Sequence, residues 1–117
     1  AAKSGISPQK VNDVIGGSRL NTGFFETFMR YLVGRDPDAH QFTLTNAAKD
    51  ISYVNKMAHD AGMANLMSAA AKQYYMHATA IGAGDEYVPM LVDHIGKLNG
   101  INIQDEVTKG ENDTKTT

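Results

Sequence analysis

The 117-residue chain has no cysteine, no tryptophan and only three prolines. Without cysteine it can form neither a disulfide nor a thiolate metal site, a composition that suits the cytosol. With so little proline, helices can run without interruption. A dominant charge sign is missing too. Eleven basic residues against thirteen acidic ones leave a net charge of −2 at pH 7, so nothing in the electrostatics favours nucleic acid or an anionic membrane as partner. No run approaches the ~18 apolar residues of a membrane span, and the N-terminus lacks the charged-then-apolar pattern of a signal peptide.

Chemistry is sparse as well. His40, His59, His77 and His94 show no second histidine three to five residues away, so no metal site is expected. There is no Gly-x-Ser-x-Gly elbow, no Walker loop and no dinucleotide Gly-x-Gly-x-x-Gly. Asp93 and His94 are sequence neighbours and diverge on a helix, which argues against a dyad. By itself the chain carries no complete active site.

What is present is helical punctuation and helical periodicity. Hydrophobic residues make up 42% of the chain, enough for one core at this length. Ala1 to Gly5 reads as the last turn of a helix whose body lies upstream, so a fragment of a longer chain is expected. Ser7-Pro8 starts a helix with Val11, Val14 and Ile15 on its apolar stripe, ended by Gly16-Gly17. Asn21 or Thr22 caps a second helix reaching Val33, with Phe24, Phe25, Phe28 and Leu32 turned to the core. Arg30 and Arg35 read as exposed, and Gly34 to Asp38 as a loop.

Residues 42–62 organise the rest. Leu44, Ala47, Ala48, Ile51, Val54, Ala58 and Ala61 recur at three- and four-residue steps along one side of a helix that Gly62 closes. Phe42, Asn46, Lys49 and Tyr53 fall on a second, mixed line. An aromatic ring, an amide and an ammonium in register suit a ligand at the helix edge; they also suit a solvated face with one aromatic anchor. A fourth helix is expected from about Asn65 to Ala83, burying Leu66, Met67, Ala70, Ala71, Tyr74, Ala78 and Ile81, with only one of Tyr74 and Tyr75 inward. Gly82 to Glu86 breaks it, Asp85 reads as a cap, and a fifth helix follows from about Tyr87 to Leu98. The expectation is an all-α, compact bundle of about five helices over residues 1–99, then a polar, disordered tail over 100–117.

Phe42, the Lys49-Asp50 pair seven residues on, the helix running to Ala61-Gly62, the Ala1-to-Ile6 opening and Gly82-x-Gly84-Asp85 together resemble the C-terminal domain of the β-hydroxyacid dehydrogenases. That family includes 3-hydroxyisobutyrate dehydrogenase, tartronate semialdehyde reductase and relatives of 6-phosphogluconate dehydrogenase. The resemblance spans roughly residues 1–98 as a spaced pattern, and the Lys-Asp pair is its most specific part.

The resemblance implies an all-helical substrate-binding and oligomerisation domain of an enzyme using NAD or NADP on a small hydroxy acid. Such enzymes place a Rossmann domain first, then a helix bearing the catalytic lysine, both expected upstream of Ala1, so no catalytic residue is expected here and the fragment would be inactive alone. Lys49 and Phe42 would face the cofactor; Lys49, Asn46 and Asp50 would face the substrate. Lys49 would close over the nicotinamide side and the substrate carboxylate, and Asp50 would hold the helix start or its neighbour. Asn46, often aliphatic in relatives, would tune substrate choice, and Asp85 or Glu86 could lie near the cleft. A cytoplasmic homodimer or homotetramer is implied. The alternative is a free-standing helical interaction module without catalysis.

Overall fold

The computed structural model describes residues 1–116. They form helices α1 (Pro8–Gly16), α2 (Gly23–Leu32), α3 (Leu44–Asp60), α4 (Leu66–Ala80), α5 (Leu91–Leu98) and α6 (Ile103–Lys115), with short 3-10 turns at Ala2–Ser4 and Val88–Met90. Among the described residues the only β-type pairing is an isolated antiparallel bridge, Thr43 to Tyr87. The all-α expectation holds. Among the described residues no helix is long and apolar enough to cross a membrane. The chain divides into two units, one of Ala1–His40 with the residues from Val92 onward, the other Gln41–Leu91.

In the first unit the helix starts follow from side-chain caps. Ser7 Oγ accepts the Lys10 amide at 3.2 Å and Pro8 occupies the first turn, where its missing N–H costs nothing. Thr22 Oγ1 accepts the Phe25 amide at 3.1 Å. Gly5 takes a left-handed φ of 73° as the stop of the opening turn. Met29, Tyr31, Pro8 and Val107 are buried. Phe25, Phe28 and Leu32 are partly covered, whereas Phe24, expected in the core, is exposed. Its ring stays at the rim of an aromatic group, 6.0 Å from Phe28 and 5.7 Å from His40.

The expected tail is instead helix α6, which packs on α1. Asn102 caps it by accepting the Asp105 amide at 3.3 Å. Val107 is one of the two largest fully buried side chains of the chain, and Gln9 Nε2 donates to its carbonyl at 2.8 Å. Two features carry this helix: Val107 one turn after Ile103, and a glycine that lets α1 come close. At Gly110 a Cβ would overlap the Gln9 amide and stand 2.8 Å from Ser7 Cβ. Two apolar residues in thirteen are too few to show as periodicity, so composition misjudged this segment.

The second unit is built on the antiparallel pair α3 and α4, joined through Gly62 at φ 65°. Leu44, Ala47, Ala48, Ala78, Ala83, Val88 and Pro89 form its buried set. Small residues let the helices approach, and a polar clasp fixes their register. Asn65 Nδ2 and Ser68 Oγ both donate to Asn55 Oδ1, at 2.7 and 2.6 Å. Val54 and Ala61, placed on the inner side by periodicity, are exposed along one edge of that stripe.

The larger correction concerns α4. Of the stripe expected to be buried, Ala78 is buried and Ala71 half-buried, but Leu66, Met67, Ala70, Tyr74 and Ile81 are exposed. The covered side carries Ser68, Ala71, Tyr75 and Ala78. The Asn55 clasp pulls Ser68 inward, and a hydrogen-bonded polar residue sets the contact side where hydrophobicity alone points elsewhere. As expected of the tyrosine pair, only one turns inward: Tyr75 is partly covered and Tyr74 exposed.

Candidate functional site

Helix α3 presents its mixed line to solvent. Phe42, Asn46, Lys49, Asp50 and Tyr53 are all exposed. The steps of three and four residues that separate Asn46, Lys49, Asp50 and Tyr53 put them on one side, opposite Leu44, Ala48 and Asn55. Met57 continues the line and is likewise exposed; its spacing of four from Tyr53 was the signal available for it in the sequence.

The start of the helix is held rigidly. Thr43 Oγ1 accepts the Asn46 amide at 3.3 Å. The Leu44 amide donates to the Glu86 carbonyl at 2.8 Å and the Thr45 amide to the Gly84 carbonyl at 2.9 Å, while the Val88 amide donates back to the Phe42 carbonyl at 2.8 Å. Thr45 Oγ1 also donates to the Gly84 carbonyl, at 3.0 Å. A Cβ at Gly84 would overlap that hydroxyl, which gives Gly84 of the Gly-x-Gly-Asp stretch a local physical reason. Residues 84–88 thus brace the backbone from Phe42 to Thr45 and fix where the Phe42 ring leaves the chain.

Two expectations about carboxylates change. The cap of α3 is Thr43; Asp50 lies in the second turn and does not hold the helix start. Asp85 is exposed, and the turn Val88–Met90 is preceded by Tyr87 with no side-chain cap, so Asp85 is not the cap expected of it. Glu86 reaches the start of α3 through its carbonyl oxygen.

Lys49 Nζ lies 3.5 Å from Asp50 Oδ1, with the two side chains 52% and 56% exposed. An ion pair so hydrated contributes only ~0.2–1 kcal/mol. Stability therefore does not account for a lysine at this place, and its ammonium can turn to an incoming anion. The amides of Leu44, Thr45, Asn46 and Ala47 all have acceptors within the chain. This helix end is consequently no cradle for a pyrophosphate.

The first unit holds a second polar group that sequence reading divided wrongly. Arg35, read as exposed, is largely covered. Its Nη2 donates to Asp93 Oδ2 at 2.8 Å and to Tyr31 Oη at 3.2 Å, and its guanidinium sits 4.5 Å over the Tyr31 ring. Tyr31 Oη also donates to Asp93. Arg35 takes φ 52°, uncommon for a residue with a Cβ. Asp93 is thus engaged by Arg35 and Tyr31, while its neighbour His94 is buried, in keeping with the divergence expected of adjacent helical residues.

Comparison with curated proteins and with solved structures finds no match. The profile of one protein family matches residues 1–94, most of the chain; it is described as the NAD-binding domain of NADP-dependent 3-hydroxyisobutyrate dehydrogenase. The match takes in the whole α3 ridge and its brace. This chain belongs to the NADP-dependent 3-hydroxyisobutyrate dehydrogenase NAD-binding family, and NAD(P) is the cofactor of that family.

Proposed function

We propose that the chain is the C-terminal, substrate-binding and oligomerisation domain of a cytoplasmic NAD(P)-dependent dehydrogenase acting on a small β-hydroxy acid of the 3-hydroxyisobutyrate type. The observation that carries the reading is the exposed Lys49, in register with Asn46 on a braced helix that Phe42 leads into, and paired with its exposed neighbour Asp50. When bound, the nicotinamide supplies hydride exchange with the carbinol carbon. The residues of this chain bind and orient. Phe42 packs its ring by the nicotinamide end and keeps water from that side. The Lys49 ammonium meets the substrate carboxylate, where a charge-assisted hydrogen bond is about twice as strong as a neutral one. Asn46, one turn before Lys49, sets how bulky or polar a substituent the acid can carry, and Asp50 steers Lys49 through their mutual attraction. No residue of the ridge is assigned the proton transfer at the substrate oxygen.

The test is Lys49→Ala and Lys49→Arg in the enzyme that carries this domain together with its dinucleotide-binding domain. Loss of a hydrogen bond to a charged group is worth ~1.5–3 kcal/mol, so kcat/KM in Lys49→Ala should fall roughly 10- to 100-fold. The melting temperature should barely move, because the exposed pair contributes little to stability. Lys49→Arg should recover part of the loss. Unchanged catalytic efficiency in Lys49→Ala would remove this residue from the site.

A further inference from the structure

At the corner between α5 and α6 the first unit leaves a hollow of about 510 Å³, lined by Arg35, Asp93, Lys97 and residues 100–104. Asp93 is the one carboxylate in this lining, and Arg35 and Tyr31 already engage it. The donors around it are less well served. Arg35 Nη1 is buried and has no hydrogen-bond partner, a costly state for a charged donor. Lys97, one turn after Asp93 on α5, is exposed and makes no ion pair or hydrogen bond among the described residues. Ile103 and Gln104 open α6, so their amides have no partner within the helix. The Asn102 side chain and carbonyl go to the Asp105 and Glu106 amides instead.

Charge points the same way. Two cations stand beside one carboxylate, and the positive end of a thirteen-residue helix adds to them. Asp105 and Glu106, in the first turn of α6, do not line the hollow, and Glu106 is paired with Lys109 at 2.7 Å. Ile101 and Ile103 are partly buried in the wall and lower the local dielectric, which strengthens attraction to an anion.

We infer that this hollow binds a small tetrahedral oxyanion, phosphate or sulfate. The donors come from three places in the chain, the loop after α2, the end of α5 and the start of α6, so they converge from different directions. Four oxygens on a tetrahedral centre meet such a set, whereas a planar carboxylate with two leaves donors unmet. Lys97 Nζ and the Ile103 and Gln104 amides are the direct donors. The Arg35 guanidinium, held by Asp93 and Tyr31, supplies a fixed positive charge. The site uses none of Phe42, Asn46, Lys49 or Asp50; it goes beyond the function proposed above and does not rest on it.

Phosphate titrated into the 117-residue chain at constant ionic strength should move the amide resonances of Ile103 and Gln104 saturably. Gly23 and Phe24, which open α2, offer a helix start without this hollow, and their resonances should stay in place. Lys97→Ala should weaken phosphate binding roughly tenfold with circular dichroism unchanged, and Lys97→Arg should restore most of the affinity. Sulfate should compete with phosphate, and acetate at the same ionic strength should not. Equal shifts at the start of α2, or an affinity untouched by Lys97→Ala, would overturn the site. Acetate competing as well as sulfate would overturn its assignment to a tetrahedral oxyanion.

Discussion

Gly110 shows how much can depend on the absence of one methyl group. Its hydrogen faces the Gln9 amide and Ser7 Cβ, where a Cβ has no room. Gln9 is itself tied to the Val107 carbonyl, so it cannot swing aside without giving up that bond. Gly110→Ala, normally favourable inside a helix by up to ~1 kcal/mol, should here destabilise by about 1–3 kcal/mol through overpacking. A thermal melt reads the sign directly, and a stabilised variant would show that α1 and α6 can move apart freely. A second residue-scale prediction concerns Asp36. The Arg30 guanidinium, 2.6 Å away, and then the Asp38 amide hold its carboxyl below the ordinary value of 3.8. A lowered folded-state pKa stabilises above the unfolded value and is lost as the pH falls through the folded one. Asp36→Asn should therefore be slightly less stable than the parent at pH 7, with the difference closing as the pH drops below 3.8. A difference that persisted undiminished in acid would point away from this carboxylate.

Among the elements, α6 best separates what could be read from sequence and what could not. The caps were legible: Ser7, Thr22, Gly5 and Gly62 each perform the role their chemistry suggests, because a cap is a local matter of one side chain and a few amides. The inner side of α3 was legible through Leu44, Ala47 and Ala48. The covered side of α4 was not, because the Asn55–Ser68 clasp ties residues thirteen apart and no helical period encodes it. Helix α6 was missed for a similar reason, its case resting on Gln9 and Val107, 98 positions apart. A chain ending at Gly100 tests it. The variant should lose helical signal beyond that of the thirteen residues of α6 and melt earlier, since Val107 leaves the first unit. If residues 101–117 contributed only a tail, the melting temperature would stay where it was.

At the scale of the whole molecule, the candidate site was legible as a line of residue types and not as a set of roles. Phe42, Asn46 and Lys49 could be grouped because one helix displays them. That the backbone of Phe42, Leu44 and Thr45 is braced depends on residues 84–88 crossing back to it, a return no local pattern announces. Arg35 was misread for the same reason, since its partner Asp93 lies 58 positions away.

The division of the chain also has a consequence in time. The second unit is one continuous stretch, Gln41–Leu91, whereas the first joins Ala1–His40 to the residues from Val92 onward. During translation the second unit is complete while α6 has yet to be made, and Pro8 and Gln9 wait for α6 to leave the ribosome. A nascent chain stalled after Gly100 would carry one finished unit and one still without Val107, so the first unit's core closes only once α6 has been made.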